Sequence, residues 1–271
     1  MSAAATFSIV TLNIFHDAAE WPERLEVIVA GLRELGPDAV FLQEVLETAE
    51  LPNQATTIAQ RIGYHCHFVS ADPAGAMKRF GNAILTRDAV LARSERLLEP
   101  RTAHRVAVHV RIACGDLPVD LYCTHLHYGP EGEIRARQIE DLLAFVESTR
   151  GDGPALVGGD LNAPPDASEL RPLRDGWTDV FAALHPERGA GETTYNPHLG
   201  GDPPARIDQL WSSRGAAGAV VPVEAEIVFR EPDPPGVWAS DHFGVFVRLD
   251  FRRTPGGTTG DRFVLGRQVM L

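Results

Sequence analysis

Five short polar motifs, each at the end of an apolar run, carry the residue types that metal-assisted hydrolysis needs. They are Thr11-Leu12-Asn13, Gln43-Glu44, Thr124-His125-Leu126, Gly158-Gly159-Asp160-Leu161-Asn162, and the pair Arg206-Ile207-Asp208 with Ser240-Asp241-His242. Strands that carry a carboxylate, amide or imidazole just past their apolar stretch collect those groups at one edge of a sheet. Such a cluster suits a hard divalent cation and a proton-transfer pair over a phosphate.

Asn13 and Glu44 form an amide–carboxylate pair. That pair suits Mg²⁺, with Mn²⁺ as the substitute, because Mg²⁺ keeps several waters and needs few protein ligands. Asp241 is a further carboxylate for the metal side. Asp160 and Asn162 are two apart and face the same side of an extended segment. The carboxylate can take a proton from water while the amide holds that water or a phosphate oxygen. Gly158 and Gly159 let the backbone come close to a ligand. His242 titrates near neutrality, and Asp208 is expected to orient its imidazole and favour the imidazolium. The general base stays open between Asp160 and His242. His125 reads as a donor to a phosphate oxygen. Asn82 and Arg105 are expected at the substrate, with Arg79, Arg101 and His104 as further candidate cations, because the Arg fork matches phosphate oxygens.

Taken singly, most of these residues have a plainer reading. Asn13 reads as a turn residue, Glu44 as a solvated charge at a helix cap, Asp160 to Asn162 as an Asx-turn into Pro164-Pro165, and Asp241-His242 as a capping turn. Their occurrence together favours the chemical reading. His125-Leu126-His127 raises zinc, but Gly129 and Pro130 stand where a His-x-His-x-Asp-His site would continue, so His127 is taken as a hydrogen-bonded strand-end residue. A calcineurin-like metallophosphatase is weighed for Gly-Gly-Asp-x-Asn and lacks the following Gly-Asn-His. Tyr195 and Trp238 read first as core packing and second as pocket walls.

The elements that must position these groups are legible from periodicity. Phe7 to Ile14 reads as a strand. Trp21, Leu25, Ile28, Val29, Leu32 and Leu35 recur at helical spacing, and Gly36-Pro37 stops that helix. Ala39 to Leu42 is a short strand covered on both faces. A helix over Leu51 to Ile62 follows, with Gly63 as C-cap. Short strands are expected at Tyr64 to Val69, Asn82 to Thr86, Val90 to Leu97, Arg105 to Ile112 and Leu117 to Leu126. Valines 106, 108 and 110 alternate with Ala107, His109 and Arg111, as in a half-buried antiparallel strand. A helix around Ile139 to Val146 and strands at Ala155 to Val157, Ile207 to Ser212, Ala219 to Phe229 and Phe243 to Phe251 complete the pattern. Two sheets face to face with helices outside is the expected packing, an α+β class. The catalytic domain is expected over residues 1–253, with 254–271 as a C-terminal tail.

The chain has 271 residues, 44% of them hydrophobic, enough for a large core. Its formal net charge of -12 and lack of a basic run argue against an extended duplex-gripping face and favour a small or lipid-like phosphate ester, with nucleic acid as the other substrate class. Three cysteines, none in a CxxC, read as free thiols in a reducing cytoplasm. No signal peptide and no apolar stretch of membrane-spanning length are evident. Oligomeric state is not legible.

The ordered set Asn, Gln-Glu, Thr-His, Gly-Asp-x-Asn, Arg-Ile-Asp and Ser-Asp-His resembles the endonuclease/exonuclease/phosphatase superfamily from Thr11 to Phe246. The resemblance implies a four-layered α/β/β/α sandwich and a metal-dependent phosphodiesterase or phosphomonoesterase. It implies metal positions at Asn13, Glu44 and Asp241, a water-activating and phosphate-binding pair at Asp160 and Asn162, an acid/base dyad at Asp208 and His242, and a phosphate contact at His125. A nuclease and a non-catalytic binding module of the same fold are the competing functions.

Overall fold

The structure, a computed structural model, describes residues 5–188, 192–200, 205–214, 218–234 and 236–253. The expected tail 254–271 lies outside them. The chain begins β1 (Ala5–Asn13), α1 (Trp21–Leu35), β2 (Ala39–Thr48), α2 (Gln54–Ile62), β3 (His65–Ser70), β4 (Lys78–Thr86), β5 (Ala92–Leu97) and β6 (Val106–Cys114). It continues with β7 (Leu117–His125), α3 (Gly132–Thr149), β8 (Ala155–Asp160), α4 (Arg171–Gly176), β9 (Trp177–Asp179) and α5 (Val180–Leu184). The last strands are β10 (Asp208–Ser213), β11 (Gly218–Val228) and β12 (Gly244–Arg253).

The strands form two six-stranded sheets, ordered β11-β12-β1-β2-β4-β3 and β5-β6-β7-β8-β10-β9. Only β1 with β2 and β7 with β8 pair in parallel; the other pairs are antiparallel. Phe7, Ile9, Phe41 and Ile84 of the first sheet meet Val108, Leu121 and Leu156 of the second in a central core. The opposite face of the first sheet, with Val10, Leu12 and Val40, packs under Ile28, Leu32 and Ile58 of the first two helices. Tyr122, Val157 and Trp211 pack under Ile139 and Leu142 of α3. The four-layered α/β/β/α sandwich is therefore present, and both faces of the central strands are dry, which is why they read as continuous apolar runs.

Local signals account for the helix ends. Pro22 sits in the first turn of α1, and Gly36 ends it in the left-handed region with its N–H on Leu32 O. Asn53 caps α2 by accepting from Thr56 N at 2.9 Å, so the helix starts at Gln54, three residues past the expected Leu51, and Gly63 closes it.

Three expectations need correction. The strand β6 is not half-buried: α3 covers its outer face, and His109 lies 1% exposed there, 2.7 Å from the buried Asp120. Arg111 shares the same carboxylate at 2.9 Å, so the polar side of this strand is an internal ion cluster rather than a solvated face. The strand β2 does not end at Leu42. It runs to Thr48 through a bulge between Leu42 and Val45, with Glu44 at φ 58. Asn82 lies inside β4, not at a strand start. The short elements α4, β9 and α5 carry too few residues for a periodic signal and were not anticipated.

Candidate active site

Topology brings the polar motifs together. The parallel pairs β1/β2 and β7/β8 end side by side, delivering Asn13, Gln43, His125 and Asp160 to one edge. Because β10 runs antiparallel to β8, its first residue, Asp208, pairs with the last residue of β8, Asp160. Likewise β12 runs antiparallel to β1, with Thr11 opposite Val245, so the turn that precedes β12 falls beside Asn13. Asp208 and His242 therefore reach the edge from strand beginnings, not strand ends. The bulge in β2 turns Glu44 out of the ladder and onto the same edge.

The glycines before Asp160 are required by this geometry. Gly159 has φ +127, and a Cβ there would collide with the Thr124 carbonyl of the neighbouring strand. Beneath the edge, Gln43 donates to Thr11 Oγ1 at 3.1 Å and reaches Cys123 Sγ at 3.3 Å, which ties the two sheets directly under the site.

Asn13 Oδ1 accepts from Phe15 N at 3.0 Å, which sets the orientation of the amide. Its Nδ2 then donates to Asp160 Oδ2 at 3.0 Å and to Glu44 Oε1 at 3.2 Å. Asp160 also accepts from Asn162 N at 2.9 Å through Oδ1, while the Asn162 side chain donates to Leu126 O. His242 Nδ1 lies 2.8 Å from Asp208 Oδ2, and its Nε2 lies 4.0 Å from Asp160 Oδ2. His125 Nε2 approaches the same Asp160 oxygen at 3.4 Å. Two imidazoles thus converge on one buried carboxylate.

Burial dominates the electrostatics. It pushes the Asp160 carboxyl up, the Asp208 charge adds to this, and the group stands at about 7. Burial pulls the His242 imidazolium down, but Asp208, by charge and hydrogen bond, with Asp160 and Asp241 behind it, more than reverses this and raises it to about 10. His125 is held well below its ordinary value by burial and by the charges of Arg105 and His242, so it is neutral. Asp241 is raised by burial, with Glu44 contributing.

Several positioning residues, Arg24, Thr194 and Asn196, carried no signal in the sequence, whereas Ser240 belongs to the Ser-Asp-His motif. Arg24 is 1% exposed and donates to the carbonyls of Ile14, Phe15, His16, Ala18, Ala19 and Ala239. It pins the β1–α1 connection, where Phe15, His16, Ala19 and Glu20 all have positive φ, to the turn before Ser240. Burial lowers Arg24 to about 10, opposed by the carboxylates of Asp241, Asp17, Glu20 and Glu44. Ser240 Oγ donates to Asn13 O at 2.6 Å and accepts from His242 N. Thr194 Oγ1 accepts from both Ile207 N and Asp208 N, and Asn196 bonds Ser240 O and Asp241 O. Periodicity cannot find such residues, because Arg24 is a charge on the buried side of α1 and the others lie in loops, and all act on backbone groups.

The remaining expected residues divide. Arg105 lines the site cleft of about 350 Å³ beside Glu44, His125, Asp160, Asn162 and His242. Asn82 is buried and donates to Val106 O, next to Arg105, so it acts on the cleft at one remove. Arg79 pairs with Glu47 and Arg101 with exposed Glu99; His104 is likewise exposed, and none of the three lines the cleft. In their place the cleft presents Lys78, His16 and the exposed ring of Tyr128, which faces Arg105 at 5.9 Å. Tyr195 packs its ring 5.3 Å from His242 and Trp238 stacks on His198; neither lines the cleft. His127 bonds Glu131 and, through its backbone, Gln138, as its structural reading required.

The donor set fits a hard cation. The only cluster of three potential ligating groups among the described residues is Asp160, Asp208 and His242, and Asp208 Oδ1 is buried without a partner there. Glu44 and Asp241 add carboxylates whose mutual repulsion and burial a divalent cation would relieve.

Comparison with known proteins identifies the family and the fold. The sequence profile of the Endonuclease/Exonuclease/phosphatase family matches residues 10–242. Tyrosyl-DNA phosphodiesterase 2 of Gallus gallus is 25% identical over 259 residues, covering 91% of this chain and 67% of that protein. Among solved structures, D. rerio TDP2 complexed with single strand DNA product superposes with TM-score 0.73 at 20% identity, covering 90% of this chain and 99% of that one. A family protein from Bacteroides thetaiotaomicron gives TM-score 0.75 at 16% identity, covering 92% and 99%.

Proposed function

Because the chain belongs to the endonuclease/exonuclease/phosphatase family and is a hydrolase of phosphate esters, we propose that it is a Mg²⁺-dependent phosphodiesterase worked by Asp160, His242 and His125. The observation that carries this reading is the convergence of two imidazoles on Asp160, one of them held by Asp208 at 2.8 Å. Asp160, raised to about 7, is poised to take the proton from the attacking water. Its Oδ1 is fixed by Asn162 N and its Oδ2 by Asn13 Nδ2, so the carboxylate needs no reorganisation. His242, charged through Asp208, and neutral His125 face the phosphate oxygens as donors, and Arg105 adds a guanidinium. Asn82 steadies the backbone beside Arg105.

Glu44 and Asp241 would hold the cation, with Asn13 keeping Glu44 in place. When bound, Mg²⁺, or Mn²⁺ in its stead, neutralises charge on the phosphate. Residues 1–253 form the catalytic domain in this reading, and 254–271 are a tail. The free cysteines at 66, 114 and 123 support a cytoplasmic setting. Among the described residues no helix is long and apolar enough to cross a membrane.

The net charge of -12 pointed to a small or lipid-like ester. The cleft itself favours a second substrate class, a nucleic-acid phosphodiester, because Arg105, Lys78 and the exposed Tyr128 ring offer cations and a stacking face. The name of the Gallus gallus relative supports a DNA end joined to tyrosine as the member of that class to test. The assay is hydrolysis of bis-nitrophenyl phosphate with Mg²⁺ and with EDTA, in wild type and His242→Ala. Turnover that survives both chelation and the substitution would end the proposal. A panel of phosphotyrosyl-DNA, single-stranded DNA, phosphoinositide and sphingomyelin then ranks the substrates.

A further inference from the structure

A second cavity, of about 540 Å³, lies on the outer side of the second sheet and shares no lining residue with the catalytic cleft. Its volume falls in the range of roughly 300–1,000 Å³ usual for small-molecule sites. The indoles of Trp177 and Trp211, from β9 and β10, line it with Pro165 and Pro186. Three guanidiniums, Arg174, Arg206 and Arg214, reach it against two carboxylates, Asp166 and Asp179. A positive balance is unexpected in a chain of net charge -12.

Arg206 gives the cavity its chemistry. The side chain is 1% exposed, lies over the Phe181 ring at 5.0 Å, and pairs through Nη2 with Asp179 at 2.5 Å. Asp179 is itself shared, since its other oxygen caps α5 by accepting from Ala182 N. Arg206 Nε and Nη1 are buried with no acceptor among the described residues. Buried guanidinium donors are costly to leave unpaired, so they call for an acceptor beyond the described residues. The other two guanidiniums are already anchored, Arg174 on the carbonyls of Pro165 and Ala167 and Arg214 on Thr178 Oγ1. Of the three, Arg206 alone has buried donors without an acceptor among the described residues.

We propose that this cavity binds a small organic anion, its anionic head on Arg206 and its aromatic or apolar body against Trp177 and Trp211. A carboxylate and a phosphate monoester offer the same head chemistry. Naphthoate is the probe, with naphthol as its neutral counterpart, titrated calorimetrically into the full chain. Naphthoate is expected to bind saturably and naphthol not. Arg206→Gln and Ala183→Phe are each expected to weaken naphthoate by at least about tenfold. Ala183 is exposed on α5 at the mouth of the cavity, so filling it leaves the Arg206–Asp179 pair intact and the fold can be verified by thermal melting. Displacement of naphthoate by dAMP assigns the phosphate head; failure of dAMP to displace it assigns the carboxylate. The proposal is overturned if neither anion binds saturably, or if a folded Ala183→Phe protein binds naphthoate as wild type does, which would leave water as the acceptor for Arg206.

Discussion

Asp208→Asn is the most informative single change at the catalytic edge. The substitution keeps the shape of the side chain and removes the charge 2.8 Å from His242 Nδ1. In the wild type His242 rises from 6.5 to about 10, a preference for the imidazolium of about 5 kcal/mol at 1.36 kcal/mol per tenfold. Burial acts in the opposite sense and is the largest single influence on this group. With Asn at 208 the burial is no longer outweighed by its nearest carboxylate, only Asp160 and Asp241 still favour the imidazolium, and His242 is expected to fall toward neutrality. In the proposed mechanism the donor to the phosphate thereby loses charge, and kcat/KM should fall by about 10²–10⁴, the usual worth of a positioned acid or base. The pH dependence follows with a definite sign. Wild-type activity should rise as Asp160 ionises through about 7 and fall as His242 deprotonates through about 10. In the variant the alkaline fall moves toward neutrality. Stability changes in parallel, because a raised His contributes fully below its unfolded value of 6.5 and loses that contribution as pH rises through about 10. The gap in unfolding temperature between wild type and variant should therefore be widest in mild acid and close with alkali. The assay is kcat/KM against pH on bis-nitrophenyl phosphate at saturating Mg²⁺, alongside thermal melts. A folded Asp208→Asn enzyme within about threefold of wild type from neutrality upward would refute the assigned role of the dyad.

Other changes test the scaffold. Arg24→Met removes donors from six carbonyls and should cost about 3–5 kcal/mol in urea unfolding, the usual penalty for breaking a buried charged network; a loss under about 1 kcal/mol contradicts the pinning role. Gly159→Ala forces a Cβ against the Thr124 carbonyl at a positive φ, so it should destabilise by at least about 2 kcal/mol and abolish turnover. Normal activity in that variant would show that the parallel pair β7/β8 can relax. Asp120 is held below the ordinary carboxylate range by His109, Gly151 N and Arg111 against the cost of burial. Its contribution is present above the unfolded carboxylate value and lost as pH falls through its lower folded value. The stability difference between wild type and Asp120→Asn should shrink as the solution is acidified, and a difference independent of pH would exclude ionisation of Asp120 as its source.

The polar motifs and the periodic segments were readable because each is local. The strand at Phe7 to Ile14, the Gly36 and Gly63 stops, and the Gly-Gly-Asp-Leu-Asn run follow from neighbouring residues alone. The class of chemistry followed as well, since oxygen donors and imidazoles beside apolar runs leave few alternatives. The placement of Glu44 was not local: a bulge in β2, seen only against β4, turns it to the cleft. Asp208 and His242 arrive from the opposite strand direction because β10 and β12 run antiparallel to β8 and β1. The protonation states depend on tertiary contact too. Asp160 near 7 and His242 near 10 arise from burial and from carboxylates distant in sequence, and no window along the chain contains them. Arg24, Thr194 and Asn196 act on backbone atoms of other segments, and Arg79 is taken out of the site by Glu47, a partner 32 residues away. Residue identity dictated which groups were available; strand direction, bulge and burial decided which of them face one another and with what charge, because those depend on distances between segments far apart in the chain.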